Sequence, residues 1–381
     1  MNIQAIENQH LIPVYAKRDI ALVKGRGVFL FDEHNKKYLD LTSNYGVNVL
    51  GYSNKNYQRA LKKQLSRLSS VHSSFYNDTR AKFLAKLHSL IPLTHSFISN
   101  TGSESIEVAI KFARLVTKKK QIISAQGGYH GRTIGALSAT FIPKYQRLFT
   151  PLAPGFKRVV FNDIDELKQV INGDTAAVLL EPIQGEAGVI IPTIGYLRKV
   201  KKLCQNNNIL LILDEIQTGL RTGHWLASEY FKVKPDILCL SKGLGNGFPI
   251  AVTAVSKKIA QQISRGSHGT TFGGSPLACA AGLATLEEID NNKLLENSKQ
   301  VGKYFLNNLK QIKSPLIREV RGLGLMIAIE LKRKAGPYVK KLQADGILVM
   351  LHQNLIRVLP PLIISRSEVD QSIKKFKKIL C

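Results

Sequence analysis

Three short stretches of the sequence carry side chains that could bind a phosphorylated cofactor and act on it. Thr101-Gly102-Ser103 precedes a helical pattern, whereas Asp214 and Lys242 each follow an apolar run. Free backbone N–H groups and the positive dipole end of a helix start favour a phosphate group. An acid at the end of a buried strand must be paired, and desolvation makes a lysine there a candidate Schiff-base amine.

Each of these stretches, taken alone, also fits a plain structural role as a helix cap or a side chain entering solvent. Together they are the parts that a pyridoxal phosphate site requires. The lysine would form the Schiff base, and the acid would keep the pyridine nitrogen protonated so that the ring can accept electrons. A fourth stretch, Gly127 to Arg132, adds an aromatic side chain that could stack on the ring and an arginine that could bind a carboxylate. We therefore expect pyridoxal 5'-phosphate as the cofactor.

The elements that must position these groups alternate between short apolar runs and helical patterns from about residue 96 to residue 271. Continuous apolar strands separated by helices predict an α/β fold with a mostly parallel sheet covered on both faces. In such sheets the chemistry collects at the carboxyl ends of the strands. The predicted strands are 95–99, 121–124, 158–161, 176–180, 209–213 and 237–240.

The two ends of the chain have a different pattern. Residues 28–41 read as a hairpin, and an amphipathic helix from about Leu294 is followed by three further strand patterns. We expect a smaller α+β domain built from both termini. The predicted limits are residues 1–50 and 287–381 for its two parts, and 51–286 for the large cofactor-binding domain.

Composition narrows the class of protein. The chain has 381 residues, of which 44% are hydrophobic, and no window approaches the roughly 18 apolar residues that cross a bilayer. Its start does not resemble a secretory signal. Its four cysteines lack the spacing of zinc sites or disulfide frameworks, so we expect no metal site and a cytoplasmic location.

The net charge of +27 comes from 54 basic and 27 acidic residues. Such an excess fits an anionic partner, either nucleic acid or an acidic protein. It equally fits a compositional bias, because the lysines are spread over the whole chain without a long basic block. We therefore do not predict nucleic-acid binding, and an inactive nucleic-acid-binding homologue is the alternative from another functional class.

The sequence resembles the class-III aminotransferases, which are pyridoxal-phosphate enzymes of fold type I, over nearly its whole length. Within that family it is most similar to the acetylornithine aminotransferase group, close to the enzymes that act on lysine or ornithine linked to an acidic carrier protein. The stretches that carry the resemblance are 99–104, 129–132, 181–186, 214–219, 241–243 and 268–274.

The resemblance implies a role for each residue around the cofactor. Lys242 would be the Schiff-base lysine and the proton shuttle, and Asp214 would bind the pyridinium nitrogen. Gln217 would hydrogen-bond the phenolic oxygen, while Tyr129 would stack on the ring. Thr101, Gly102 and Ser103 would bind the phosphate, joined by Thr271 of a partner subunit, which implies at least a homodimer.

The resemblance also implies the substrates. Arg132 would bind the α-carboxylate of the amino donor, with Thr270 nearby. Glu186 would neutralise Arg357 while the donor is bound and then release it to 2-oxoglutarate. The expected reaction moves the terminal amino group of acetylornithine to 2-oxoglutarate. The stretch from Arg318 to Met326 also resembles enzymes that act on carrier-linked lysine or ornithine, which leaves a carrier-linked donor as an alternative. Tyr45 stands where acetylornithine enzymes usually carry an aliphatic residue and ornithine aminotransferases carry a tyrosine, which leaves free ornithine as another.

Two departures from the family pattern concern loops. Gly219 to Gly223 is one residue shorter than usual, and Ser275 replaces an asparagine before Pro276. Neither departure removes a catalytic group.

Overall fold

The computed structural model describes residues Met1 to Cys381 as fifteen strands, fifteen α-helices and two 3-10 turns (Arg147–Phe149 and Lys242–Gly245) joined by loops. The strands are β1 (Leu22–Arg26), β2 (Phe29–Asp32), β3 (Lys37–Asp40), β4 (His95–Ser99), β5 (Gln121–Ala125), β6 (Phe156–Val159), β7 (Thr175–Leu180), β8 (Leu210–Asp214), β9 (Ile237–Leu240), β10 (Ala251–Val255), β11 (Ile317–Leu323), β12 (Met326–Leu331), β13 (Ile347–Leu348), β14 (Met350–His352) and β15 (Leu355–Val358).

The helices vary from single turns to seventeen residues, and none is long and apolar enough to cross a membrane. They are α1 (Ile3–His10), α2 (Ser43–Gly46), α3 (Lys55–Leu65), α4 (Asp78–Leu90), α5 (Gly102–Thr117), α6 (Ile134–Ala139), α7 (Pro143–Gln146), α8 (Ile164–Val170), α9 (Tyr196–Asn206), α10 (Ala227–Tyr230), α11 (Lys257–Ala260), α12 (Pro276–Asn291), α13 (Leu294–Lys310), α14 (Gly336–Ala344) and α15 (Arg366–Leu380).

The central sheet has seven strands in the order β4-β10-β9-β8-β7-β5-β6. Strands β9, β8, β7, β5 and β6 pair in parallel, and β10 runs antiparallel between β4 and β9. The prediction of an α/β fold with a mostly parallel sheet is therefore confirmed. Strand β10 was not predicted, and β6 begins two residues before the predicted strand.

Alternating side chains of the central strands pack against helices on opposite faces of the sheet. Ile122 and Ile212 join the apolar cluster under α5, while Ile123 and Leu211 join the cluster under α9. Each fully buried aliphatic side chain stabilises the fold by roughly 1.5–3 kcal/mol. Because both faces of the central sheet are covered, polar side chains of its strands can gather only at the strand ends.

Both ends of the chain contribute to the smaller sheets, as the sequence predicts. One sheet has the order β1-β2-β3-β13, in which β13 pairs in parallel with β3 through Ile347 and Leu39. The other has the order β11-β12-β15-β14. The predicted domain limits at residues 50 and 286 stay a prediction, and the second falls within helix α12.

Candidate active site

Loops at the carboxyl ends of β5, β7, β8 and β9 meet the start of α5 around a cavity of about 600 Å³, its open mouth included. The cavity is lined by Thr101, Gly102, Ser103, Tyr129, His130, Gly131, Glu181, Glu186, Asp214, Ile216, Gln217 and Lys242. Most of the residues proposed from the sequence thus come together, although they arise from loops far apart in the chain. Tyr45, Arg132, Thr270, Thr271 and Arg357 do not line this cavity.

Lys242 follows β9 in a strained backbone conformation. Its φ of 44° lies in the left-handed region, which costs a non-glycine residue on the order of 1–3 kcal/mol. Burial lowers the pKa of the Lys242 amine, and the carboxylates of Glu186 and Asp214 oppose that shift. A lysine in this setting reaches the neutral, nucleophilic form more readily than a surface lysine.

Asp214 is the last residue of β8 and is fixed by two hydrogen bonds. One carboxylate oxygen, Oδ2, lies 2.8 Å from Nδ1 of the buried His130, and Oδ1 accepts the N–H of Ile216 at 3.0 Å. No role was predicted for His130, although it belongs to the Gly-Tyr-His-Gly stretch. Its contact with Asp214 joins two loops, and spacing along the chain does not encode such a contact.

Glu181 directly follows β7 and was also assigned no role from the sequence. Its oxygens accept the backbone N–H groups of Tyr129 at 2.9 Å and Gly185 at 3.0 Å. Burial raises the pKa of Glu181, and the nearby Asp214 carboxylate raises it further. The Glu181 carboxyl group therefore connects the loop that contains Tyr129 to the loop that contains Glu186. An acid after a buried strand was the available signal, the same one that identified Asp214.

The start of α5 forms the candidate phosphate cradle. Thr101 caps the helix in a capping box: its hydroxyl accepts the N–H of Glu104 at 3.3 Å, and the Glu104 carboxylate accepts the N–H of Thr101 at 2.8 Å. A side chain on Gly102 would press on Ile216 at 3.0 Å, and one on Gly131 would collide with the Ser103 hydroxyl. Glycine at these two positions therefore lets the loops pack closely around Ser103 and the start of α5.

An ion pair closes the side of the cavity nearest the C-terminal sheet. Arg357 on β15 is buried, and its guanidinium donates to the Glu186 carboxylate at 2.9 Å and to the Gly185 carbonyl at 3.0 Å. Burial alone would raise the pKa of Glu186, but Arg357 and Lys242 lower it below its ordinary value. Glu186 is thus held ionised against the arginine.

Arg132 lies outside the cavity, on an aromatic pair beside it. Its guanidinium is 3.5 Å from the centre of the Tyr145 ring and 5.8 Å from that of Tyr129. The two rings meet edge to face at 6.0 Å. The sequence did not identify Tyr145, whose helix α7 lies outside the matching stretches. Exposed arginine–aromatic contacts of this kind contribute about 0.5–1 kcal/mol.

The remaining predicted residues surround the cavity at greater distance. Tyr45 follows two other residues with positive φ, and its side chain is 53% exposed. Its carbonyl accepts a hydrogen bond from Gln217 Nε2 at 3.3 Å. The Thr270 hydroxyl accepts one from Asn100 at 3.3 Å, whereas Thr271 is exposed on the surface of the chain.

Three buried polar atoms in or behind the cavity have no partner within the chain: His130 Nε2, Gln217 Oε1 and Arg357 Nε. Buried polar groups are paired in the great majority of native proteins, so these atoms fit a site that holds a polar ligand. The cradle at α5, the acid at β8 and the lysine after β9 match the phosphate, the ring nitrogen and the aldehyde of pyridoxal phosphate. Together, fold and site define a fold-type-I pyridoxal-phosphate enzyme.

Comparison with known proteins identifies the family. The sequence model of the class-III aminotransferases matches residues 14–380, so the chain belongs to that family and is a pyridoxal-phosphate-dependent aminotransferase. It is 42% identical over 386 residues to an acetylornithine aminotransferase from Methanocaldococcus jannaschii, covering 98% of this chain and 96% of that one. It is 39% identical over 383 residues to a LysW-aminoadipate semialdehyde transaminase from Deinococcus radiodurans, covering 99% and 89%.

Solved structures agree with this placement. The ornithine aminotransferase from Toxoplasma gondii, whose structure shows partial occupancy of pyridoxal phosphate at the active site, superposes with a TM-score of 0.96 at 32% identity. The match covers 99% of this chain and 93% of that chain. The relatives thus carry three different substrate names, namely acetylornithine, LysW-aminoadipate semialdehyde and ornithine.

Proposed function

We propose that this enzyme transfers the terminal amino group of N2-acetylornithine to 2-oxoglutarate, giving N-acetylglutamate semialdehyde and glutamate, a step of arginine biosynthesis in the cytoplasm. The observation that carries the proposal is the pair of arginines around one cavity. Arg132 is exposed on the Tyr145 ring beside the cavity, where it could bind a carboxylate, whereas Arg357 is covered by Glu186. A site with one open and one covered arginine suits two substrates that differ in their number of carboxylates, because acetylornithine has one and 2-oxoglutarate has two.

The residues that would hold the cofactor follow from the geometry. Lys242 would attach it covalently, Asp214 would pair with the ring nitrogen, and Tyr129 would pack on the ring. The N–H groups at the start of α5 would bind the phosphate. Bound pyridoxal phosphate supplies an electron sink for the carbon that carries the reacting amine. His130, bonded to Asp214, keeps the acid in place through its Nδ1.

The amine of Lys242 then serves as the base and the acid of the reaction. Its Nζ would take the proton from the substrate carbon and hold it for return, which requires the neutral amine at the start of the step. The lowered pKa of Lys242 favours that form. Positioned proton transfer of this kind contributes about 10²–10⁴-fold to a rate.

Two arginines select the substrates in turn. Arg132 binds the α-carboxylate of the donor, so that only an amine several bonds away can reach the cofactor. During this half-reaction Glu186 neutralises Arg357. When 2-oxoglutarate enters, Glu186 releases Arg357, whose planar guanidinium can bind the acceptor's α-carboxylate through two parallel hydrogen bonds.

Two other donors remain as candidates. A lysine or ornithine derivative linked to an acidic carrier protein would suit the net charge of +27. Free ornithine would bring a cation to the surroundings of Tyr45, whose hydroxyl and ring could stabilise it by roughly 0.5–2 kcal/mol. That contribution is small beside the wider resemblance, so we rank acetylornithine first, the carrier-linked donor second and ornithine third.

The donor ranking is tested by measuring kcat/KM for the three donors with 2-oxoglutarate at two salt concentrations. We expect acetylornithine to give the highest value, with little salt dependence. The variant Tyr45→Ile should lower kcat/KM for ornithine while leaving that for acetylornithine nearly unchanged. Strong salt sensitivity confined to the carrier-linked donor would favour the second candidate, because a basic surface would then be recruiting an acidic partner. A preference for ornithine that Tyr45→Ile abolishes would refute the ranking.

We also propose a homodimer in which Thr271 reaches the partner's phosphate site. This proposal is supported by the exposed position of Thr271, which is next to the exposed aromatic Phe272. The variant Thr271→Ala should bind pyridoxal phosphate more weakly by about tenfold to a hundredfold, as expected for one hydrogen bond to a charged group. Adding cofactor should stabilise the wild-type dimer by mass action.

Absorption titration and analytical ultracentrifugation over a dilution series test the dimer proposal. Thr271→Ser keeps the hydroxyl and serves as the matched control, with wild-type affinity expected. A monomer that binds the cofactor as tightly as the dimer would contradict the proposal.

A further inference from the structure

Arg221 is a fully buried arginine in the loop that follows β8, and no role in the reaction has so far been given to it. Its Nη1 donates to the carbonyls of Leu325 at 3.2 Å and Pro360 at 3.0 Å, and its Nη2 donates to the Ser43 hydroxyl at 3.2 Å. No carboxylate forms a salt bridge with it. Burial lowers the pKa of Arg221 to about 9, opposed by the more distant Asp40 carboxylate. Burying a cation without a paired anion costs free energy, so the presence of Arg221 at this position requires an explanation.

The contacts of Arg221 reach the segments that carry two proposed substrate-binding residues. Ser43 is two positions before Tyr45, and it begins a run of residues with positive φ that continues through Tyr45 to Gly46. The Ser43 hydroxyl donates in turn to the Leu359 carbonyl at 2.6 Å. Leu359 and Pro360 directly follow β15, the strand that bears Arg357. One guanidinium therefore joins the N-terminal loop of Tyr45 to the C-terminal strand of Arg357.

The backbone of Arg221 is also held by hydrogen bonds, although the Nε of its side chain has no partner. Its carbonyl accepts hydrogen bonds from the Leu325 N–H at 3.1 Å and the Ser298 hydroxyl at 2.5 Å. The same loop begins with Asp214 and Gln217 in the cavity, and Gln217 Nε2 contacts the Tyr45 carbonyl. The loop is thus fixed at its start to the cofactor site and at its end to both terminal segments.

We propose that Arg221 is a positioning residue for substrate recognition, which holds the segments that contain Tyr45 and Arg357 in place beside the cavity. The proposal rests on the proposed function, because it takes Tyr45 and Arg357 as substrate-facing. A planar fork with several N–H groups is needed to reach carbonyls on two segments and a hydroxyl on a third. Arg221 makes these contacts through two separate nitrogens, Nη1 and Nη2, whereas lysine would offer a single nitrogen.

The test compares the holoenzyme with Arg221→Lys in steady-state kinetics, cofactor titration and thermal unfolding. We expect KM for 2-oxoglutarate to rise about tenfold, which corresponds to roughly 1.4 kcal/mol. The value of kcat at saturation and the affinity for pyridoxal phosphate should change little, because Lys242, Asp214 and the α5 cradle are untouched. A merely structural role would lower kcat, cofactor affinity and Tm together, and that result would overturn the proposal.

Ser43→Ala provides a second variant if Arg221→Lys fails to fold. It removes only the hydroxyl between Arg221 and Leu359, and we expect a smaller rise in KM in the same direction. Where both variants fold, KM of the double variant should be little higher than that of Arg221→Lys, because the effects of substitutions within one hydrogen-bond network are not additive. An unchanged KM in Ser43→Ala and full additivity in the double variant would each count against the proposal.

Two further variants make the outcome specific. Arg114 also donates to two backbone carbonyls, those of Lys120 at 2.8 Å and Pro154 at 3.1 Å, but it lies outside the site, so Arg114→Lys should leave KM unchanged. Arg357→Lys measures the acceptor site itself. If Arg357→Lys leaves KM for 2-oxoglutarate unchanged, the proposed function fails at the acceptor. If it raises KM while Arg221→Lys does not, only the role of Arg221 is wrong.

Discussion

Replacement of Lys242 by alanine is expected to lower the rate of transamination by at least about 10⁴-fold, the upper end of what positioned acid–base catalysis contributes. The loss should be this large because one amine both attaches the cofactor and carries the proton. The variant should still fold, because the Lys242 side chain donates no hydrogen bond within the chain. Its removal also takes away a buried amine whose charged form is disfavoured by desolvation.

Chemical labelling checks the same assignment without relying on turnover. The wild-type enzyme should absorb visible light when loaded with pyridoxal phosphate, and borohydride should then fix the cofactor to the peptide that contains Lys242. Lys144, whose ammonium lies 4.7 Å from the Tyr145 ring, provides a control lysine near the site, and Lys144→Ala should leave the labelling unchanged. Labelling of another lysine in the wild-type enzyme would refute the assignment.

Asp214→Asn is expected to preserve the fold and to reduce turnover by at least about a hundredfold, the lower end of the loss when one preorganised electrostatic partner is removed. Asparagine is nearly isosteric with aspartate and can keep the contact with the Ile216 N–H. It cannot hold a protonated pyridine nitrogen, so the electron sink would be weakened.

Asp236 offers the matched control for that variant. It directly precedes β9, at the opposite end of the sheet from the cavity, and accepts hydrogen bonds from the Leu211 N–H and from Lys201. Asp236→Asn should lower the free energy of unfolding and leave the turnover rate nearly unchanged. Near-wild-type turnover in Asp214→Asn, measured under conditions where both variants are folded, would mean that the acid is structural.

Much of the fold could be predicted because the central strands are buried on both faces. Such strands are continuous apolar runs, and their ends are the only places where polar side chains can follow them. This reasoning placed Asp214 and Lys242 at one edge of the sheet. It missed β10, because an apolar run does not encode strand direction and the regular alternation with helices breaks down there.

The parts of the site that the sequence did not reveal are contacts between loops. His130 and Glu181 belong to stretches that match the family, yet their partners lie on other strands of the sheet. Arg221 was noted only as part of a shortened loop. Loops usually run over the surface and arginine is almost never fully buried, so its position in the interior could not be expected from its residue type.

The parallel pairing of β13 with β3 has a consequence for how the enzyme is made. As the chain leaves the ribosome, the N-terminal hairpin presents one unpaired strand edge until Ile347 and Leu348 have been synthesised. Large proteins expose such edges to aggregation during folding, and distant pairings form slowly. Arg357 is synthesised later still, so nascent chains should complete the strands of the central sheet before they can recognise a substrate.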